Sequence, residues 1–295
     1  MIEKLIEKNY FLCEGYKTNI SKRQIIYHHV PKTGGTTVSN LLLSLFKNPY
    51  RISGSPTKNI NSISCFENYK KNFNKIKTSN YDFICGHIQY LNDFKDRFSI
   101  TTIRDPVERA ISHYNMLIER QIINKQTELD HCFKNELIPK NPITQMFSCK
   151  NDKNDKVNNM NKEVALSNLN KLDMVVNFNQ IDNLINYLVS NYNLPNILYQ
   201  RLQKNRLNHF LSNKMNLDVV KKYNEYDLEI FSSLKKNNVF FKFHNSFKPR
   251  FKNDYFIYSV DYKIDGHNKL ITQKNKYNTF INFLEKNGYI INIIN

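Results

Sequence analysis

The stretch YHHVPKTGGTTVSNLLLSLF, residues 27 to 46, sets Lys32 ahead of the pair Gly34 and Gly35, with Thr33, Thr36 and Thr37 around them. Upstream, RQIIYHHV (23 to 30) gathers β-branched and aromatic residues over the length of one strand. Downstream, Val38, Leu41, Leu42, Leu45 and Phe46 recur at helical spacing, which predicts an amphipathic helix over 35 to 47. The glycines let the backbone turn sharply and come close to a ligand. The amides of Gly35, Thr36 and Thr37 are then expected at a helix N-terminus, where an anion binds readily. A plain helix cap built from Gly and Thr is the alternative. The common nucleotide-hydrolase loop, G-x-x-x-x-G-K-[ST], carries its lysine last, and here the lysine comes first.

FSITTIRDPVERAISHYNMLIER (98 to 120) repeats that grammar. Residues 99 to 103 read as a strand, Asp105 suits an N-cap and Pro106 the first helical position. Val107, Ile111, Tyr114 and Ile118 fall on one face that must pack, while Asp105, Glu108, Arg109 and Ser112 line up opposite. Arg104, at the end of the strand, opens towards the second group. In an α/β sheet, ligands bind outside the carboxyl ends of parallel strands. Two strand-to-helix turns bearing anion-binding groups therefore suit a nucleotide phosphorylated at two places.

HVPKTGGTT and TTIRDPVERAISHY resemble the two signature segments of the sulfotransferases that use 3′-phosphoadenosine 5′-phosphosulfate (PAPS), and more closely their carbohydrate-modifying, uronosyl 2-O branch. The resemblance implies a P-loop-type parallel sheet flanked by helices. It implies that Lys32 meets the oxygen bridging phosphorus and sulfur, with Thr33, Gly34, Gly35, Thr36 and Thr37 around the 5′-phosphosulfate. Arg104 and Ser112 would take the 3′-phosphate. YDFICGHIQYLNDF (81 to 94) is similar to the family segment whose Gly-His pair supplies the catalytic base, which implies His87 in that role. Cys85 stands where the heparan-type 2-O enzymes carry a second histidine. NPITQMFSC (141 to 149) resembles the family's N-x-x-T-R-x-L, with Gln145 in place of the arginine. EVALSNLNKLDMVVNF resembles a late helix-strand unit and YNEYDLEIFSSLKK a closing helix. His28 and His29 read as orienting or packing residues, and Arg23, Arg109 and His113 as support.

The implied activity is transfer of a sulfuryl group from PAPS to a hydroxyl of a carbohydrate, an acceptor that could itself be anionic. A P-loop kinase is the alternative enzyme, and a nucleotide- or polyanion-binding module of the same fold the non-enzymatic one. No metal is expected. Five cysteines without a C-x-x-C pair suggest reduced thiols, and the absence of a signal-like or membrane-spanning run suggests a cytoplasmic protein. The net charge of +17 fits an anionic substrate, but roughly 15% Asn and a high Lys content also produce it. No zinc-finger spacing or aromatic RNA-stacking motif is present, so nucleic acid is not an expected partner.

Strands are expected at 23 to 30, 82 to 88, 99 to 104 and 173 to 178, separated by helices, hence a parallel sheet. NPYRISGSPTKNINSIS (48 to 64) reads as loop, and CKNDKNDKVNNMNK (149 to 162) as a mobile one. Residues 1 to 247 form the expected catalytic domain. Residues 248 to 295, with a strand-like YFIYSVDYKI and a helix-like KYNTFINFLEKNGYI, form an appendage of unassigned role.

Overall fold

The protein is described by a computed structural model over residues 23–46, 49–52, 80–90, 96–148, 157–192, 217–243, 261–264 and 267–270, the last two as backbone. Five parallel strands carry the fold: β1 (Ile25–His28), β2 (Pro49–Ile52), β3 (Phe83–Gly86), β4 (Phe98–Ile103) and β5 (Met174–Asn177). Beyond β2, β6 (Asp261–Ile264) adds in parallel through the pair Arg51–Ile264, and β7 (His267–Leu270) returns antiparallel. The spatial order is β5-β4-β1-β3-β2-β6-β7.

The central strand, β1, is buried along its whole length, as a run flanked by two strands and covered on both faces should be. Alternation assigns its residues to two cores. Ile25 and Tyr27 pack with Val38, Leu42 and Phe46 of α1 (Gly35–Leu45) and with Leu184 and Leu188 of α6 (Ile181–Asn191). Ile26 faces the other way, with Tyr50, Ile52 and Ile84. On that second side α4 (Pro142–Phe147), α5 (Asn159–Leu169) and α8 (Glu225–Lys236) bury Phe147, Leu169 and Ile230 beside Ile103 and Val175. A satellite core joins α2 (Pro106–Glu119), α3 (Leu129–Lys134) and α7 (Leu217–Tyr223) through Leu117, Phe133 and Val220.

The register sets the level of every loop. His28 lies opposite Gly86 on one side and Thr101 on the other, so the segments after β1, β3 and β4 leave the sheet at one edge. Gly86 has φ 155°, and a Cβ there would lie 2.7 Å from the Ile52 carbonyl oxygen, so only glycine lets β3 end this close to β2.

Several expectations need correcting. Residues 49 to 52, expected as loop, form β2, with Tyr50 and Ile52 buried and Pro49 at the first strand position, where its missing N–H is tolerated. The polar stretch 149 to 162 ends inside α5, whose N-terminus is capped reciprocally by Asn158 and Asn161. Its residues 149 to 156 lie outside the described residues, as do the expected helix at 276 to 290 and the side chains of Leu41 and Leu45. The buried face of α2 is broader than expected and includes Arg109 and His113, so Arg109 does not share an open stripe with Ser112. Arg23 lies at the opposite end of the sheet, on Asp173 at 2.8 Å and on the carbonyls of Asp96 and Arg97.

Asp227, fully buried on α8, accepts from the amides of Ile143 and Thr144 at 3.0 and 2.8 Å and from the Thr144 hydroxyl at 2.8 Å. It supplies the N-terminus of α4 with the acceptor that its own sequence lacks. Replacing Asp227 with Ala strands those donors, and the Arg109 charge, in the core. Equilibrium denaturation should show a loss of about 3 kcal/mol or more; a loss below about 1 kcal/mol would deny Asp227 this role.

Candidate active site

Lys32 opens the loop with φ 67°, a left-handed conformation rare for a residue with a side chain. Gly34 follows at φ 80°, and a Cβ on either glycine would collide, at Gly34 with Ile181 and at Gly35 with the His29 ring. The loop is thus pressed between the end of β1 and the start of α6. Thr33 is fully buried; its hydroxyl donates to the Val30 carbonyl at 2.8 Å, and its carbonyl accepts from the Thr102 hydroxyl at 3.0 Å. Because Thr102 gives its proton to Thr33, the Tyr27 phenol is the donor in the 2.5 Å contact between Tyr27 and Thr102. Thr33 therefore shapes the loop with its side chain and offers a ligand only its main chain.

Helix α1 begins without a side-chain cap and without an acidic residue in its first turn. Thr37 N–H donates to the Gly34 carbonyl at 3.0 Å, so its amide is already used, contrary to the expectation that it points at an anion. The amides of Gly35 and Thr36 and the hydroxyls of Thr36 and Thr37 are what the turn presents. That is an uncapped helix N-terminus of the kind that binds anions.

Arg104 follows β4 and is buried; its Nε donates to Glu108 at 3.1 Å, and its guanidinium lies 4.4 Å over the Phe178 ring. Its Nη2 is buried with no hydrogen-bond partner among the described residues. A buried guanidinium nitrogen left open is costly. It marks the place where an anionic oxygen fits. Ser112, half-buried, lies one turn beyond Glu108 on α2, and Glu108 is the residue that Arg104 holds.

Lys32 is half-buried, and no carboxylate forms an ion pair with it among the described residues. Burial, reinforced by Arg120 and Arg104 against the weaker pull of Glu119, brings its ammonium down to about 8. A cation made uncomfortable in this way gains when an anion arrives.

The loop after β3 is stitched to the end of β1. His29 N–H donates to the Gly86 carbonyl at 2.9 Å, and His28 Nδ1 to the Ile88 carbonyl at 3.1 Å. His87 Nδ1 lies 2.6 Å from the His29 carbonyl. A carbonyl can only accept, so Nδ1 carries the proton and neutral His87 keeps its lone pair on Nε2. The His87 ring stacks on His29 with centroids 4.5 Å apart. Burial, opposed by the His29 carbonyl and aided by the Arg51 charge, lowers the His87 pKa below 6.5. His28, deeper, is brought by burial down to about 4.

The structure thus brings Lys32, His87, the α1 N-terminus and Arg104 to one edge of the sheet, with Arg109 behind them and Arg23 far away. Sequence reasoning missed Thr102 and Phe178, which hold Thr33 and Arg104. Nothing in either residue's local pattern signals the contact, since the partners are 69 and 74 positions distant. Among the described residues no group of three His, Cys, Asp or Glu side chains is placed to hold a metal ion, and no helix is long and apolar enough to cross a membrane. Cys85 and Cys132 are buried free thiols.

Heparan sulfate 2-O-sulfotransferase 1 of Homo sapiens is 35% identical over 103 residues, covering 32% of this chain and 29% of that protein. The proteins of the same name from Mus musculus and Xenopus laevis are 36% and 33% identical over the same length. The chain therefore spans less than a third of the length of these relatives. The sulfotransferase family itself matches over residues 18–238, which takes in both strand-to-helix turns, the Gly86-His87 pair and α8. The chain belongs to the sulfotransferase family.

Proposed function

We propose that the protein transfers a sulfuryl group from PAPS to a hydroxyl of a carbohydrate. The observation that carries this reading is the orphaned Nη2 of Arg104 on the same sheet edge as the uncapped α1 N-terminus, two anion sites for one doubly phosphorylated nucleotide. When bound, PAPS supplies an activated sulfuryl group on a phosphate leaving group. The residues present fit it: Gly34 and Gly35 let the loop pack tightly on Ile181 and His29, the Gly35 and Thr36 amides with the Thr36 and Thr37 hydroxyls would meet the 5′ end, and Arg104 with Ser112 would hold the 3′-phosphate.

Lys32 stabilises the charge that develops on the leaving oxygen. Its partial desolvation makes that charge worth more than it would be in water. His87 Nε2 takes the proton of the acceptor hydroxyl, because the His29 carbonyl holds the imidazole in the tautomer with that nitrogen free. The carbohydrate acceptor is supported by the names of the relatives, and a cytoplasmic setting by the free thiols of Cys85 and Cys132. A kinase reading is weaker, because the lysine leads the loop instead of closing it.

Lys32→Ala should lower turnover by about 10² to 10³, the scale of one transition-state charge donor. A near-normal rate with labelled PAPS and a panel of glycans would remove Lys32 from the chemistry. Arg104→Ala should weaken PAPS about 10- to 100-fold, the worth of a hydrogen bond to a charged group. Adenosine 5′-phosphosulfate, which lacks the 3′-phosphate, should be weakened far less; equal losses for both would mean that Arg104 does not read that group.

The rate requires neutral His87. Since the His87 pKa is lowered, the neutral form persists as pH falls through 6.5, and the rate should decline only below that value. In His87→Ala the acid limb should vanish along with about 10² to 10⁴ of the rate. An acid limb surviving in the variant would assign the base elsewhere.

A further inference from the structure

His113 lies on the inner stripe of α2, one turn beyond Arg109, and is 5% exposed. Both of its ring nitrogens are buried, and neither has a hydrogen-bond partner among the described residues. An imidazole carries at least one N–H donor and, when neutral, one acceptor, so both are stranded here. Buried polar atoms are nearly always paired, and a whole ring left without a partner points to a ligand that is meant to meet it.

The groups that act on His113 come from three elements. Lys32 approaches from the loop after β1, His87 from the segment after β3, and Arg109 and Arg120 from α2 itself. Arg109 is in turn balanced by Asp227 of α8, and Lys32 by Glu119. The ring therefore shares its electrostatic surroundings with both the proposed leaving-group cation and the proposed base. Its neighbour Ser112 lies on the outer stripe. Burial first, and then these positive neighbours, hold the free imidazole neutral, well below its ordinary value.

We propose that His113 is a further donor-binding residue of this site, which takes up a proton from solvent when the nucleotide's 5′ anion settles beside Lys32 and then donates a hydrogen bond to that anion. The inference rests on the donor reading given above. An anion arriving among Lys32, Arg120 and His113 offsets the positive field that opposes the imidazolium, and in a desolvated site that offset is strong. It also gives the stranded N–H a partner. Nucleotide affinity becomes linked to pH through His113, by the same linkage that ties protonation to any equilibrium that perturbs a pKa. Lys32, brought down to about 8, also takes up protons and also gains from the anion, so the contribution of His113 is read as a difference between variants.

The test is calorimetric titration of the full chain with adenosine 3′,5′-bisphosphate at pH 7, in buffers of different ionisation enthalpy. The slope of heat against buffer enthalpy counts protons taken up. Protons exchanged by the ligand's own phosphates are common to all variants and cancel; those of Lys32, which interacts with His113, are removed by repeating the series in a Lys32→Arg background. His113→Asn, which stays polar but cannot titrate, and His113→Phe should each bind with an uptake smaller by about half a proton or more than wild type. Their affinity should also lose much of its rise as pH falls from 8 to 6. Equal uptake in wild type and in the two variants overturns the assignment. So does a loss of uptake found in His87→Asn while the His113 variants keep it, because the proton then belongs to His87. Failure of the wild-type chain to bind the bisphosphate at all overturns the donor reading itself, and His113 with it; it is told apart because binding is measured before any proton is counted.

Discussion

Thr102 gives its hydroxyl proton to the Thr33 carbonyl 3.0 Å away, and the geometry of the site depends on that bond. Thr102 belongs to β4, whose position is fixed by its ladder with β1; Thr33 belongs to the loop that β1 feeds. The bond therefore ties the loop to a rigid strand at the point where the chain must leave regular structure. Tyr27 closes the chain of hydroxyls from below, buried so deeply that its phenol stays protonated far above its ordinary range. With the loop pinned, Lys32 can be held at φ 67°, a conformation that an unsupported lysine would leave. The collisions that a Cβ at Gly34 or Gly35 would cause are the other half of the same constraint, since the loop has no room to relax into.

The consequence is electrostatic. Lys32, Arg104, Arg109 and Arg120 are gathered at or behind one edge of the sheet, while the carboxylates within reach are few and already engaged. Glu108 is held by Arg104, and Asp227 by the α4 amides. Burial then lowers Lys32 and Arg109 to about 8 and about 10, which records that the free site stores unfavourable charge. Sites that bind multiply charged anions gain from this, because neutralisation on binding releases what folding has stored. A hydrophobic filling of the same volume would make a more stable protein, but one with no charge to offer an anion.

How much of this was legible in the sequence follows from how local each cause is. The runs at Ile25–His28, Phe83–Gly86 and Phe98–Ile103 could be read because buried parallel strands are apolar throughout. Strand β2 could not: PYRI is only four residues long, and its own Pro49 and the Asn48 before it carry turn signals. The α5 cap was hidden by composition, since Asn158 and Asn161 are two asparagines among many. Arg109 looked like a surface residue because a charge on a helix usually is one. Its burial requires Asn224 to accept from it at 2.8 Å, a partner 115 positions later that no periodicity reveals. Motif residues were legible as chemistry, but their roles were not. Thr33 and Thr37 sit in the right loop, yet the Thr33 hydroxyl and the Thr37 amide are spent on the protein.

The proposed base illustrates how a main-chain partner differs from a carboxylate. A histidine oriented by a carboxylate is held in one tautomer and also stabilised once it becomes imidazolium. The His29 carbonyl fixes the tautomer of His87 but brings no full negative charge, and Arg51 and burial oppose the cation. His87 is therefore a weak base that does not take a proton from an alcohol in advance. Transfer of a sulfuryl group through a loose transition state, by analogy with phosphoryl transfer, asks for little nucleophile charge early on. The hydroxyl becomes acidic only as its bond to sulfur forms, and a base of this strength accepts the proton at that stage. The same arrangement keeps His87 neutral while the site is cationic and empty. The lone pair is thus ready when an acceptor arrives, and the local positive charge is left to the groups proposed to hold the nucleotide.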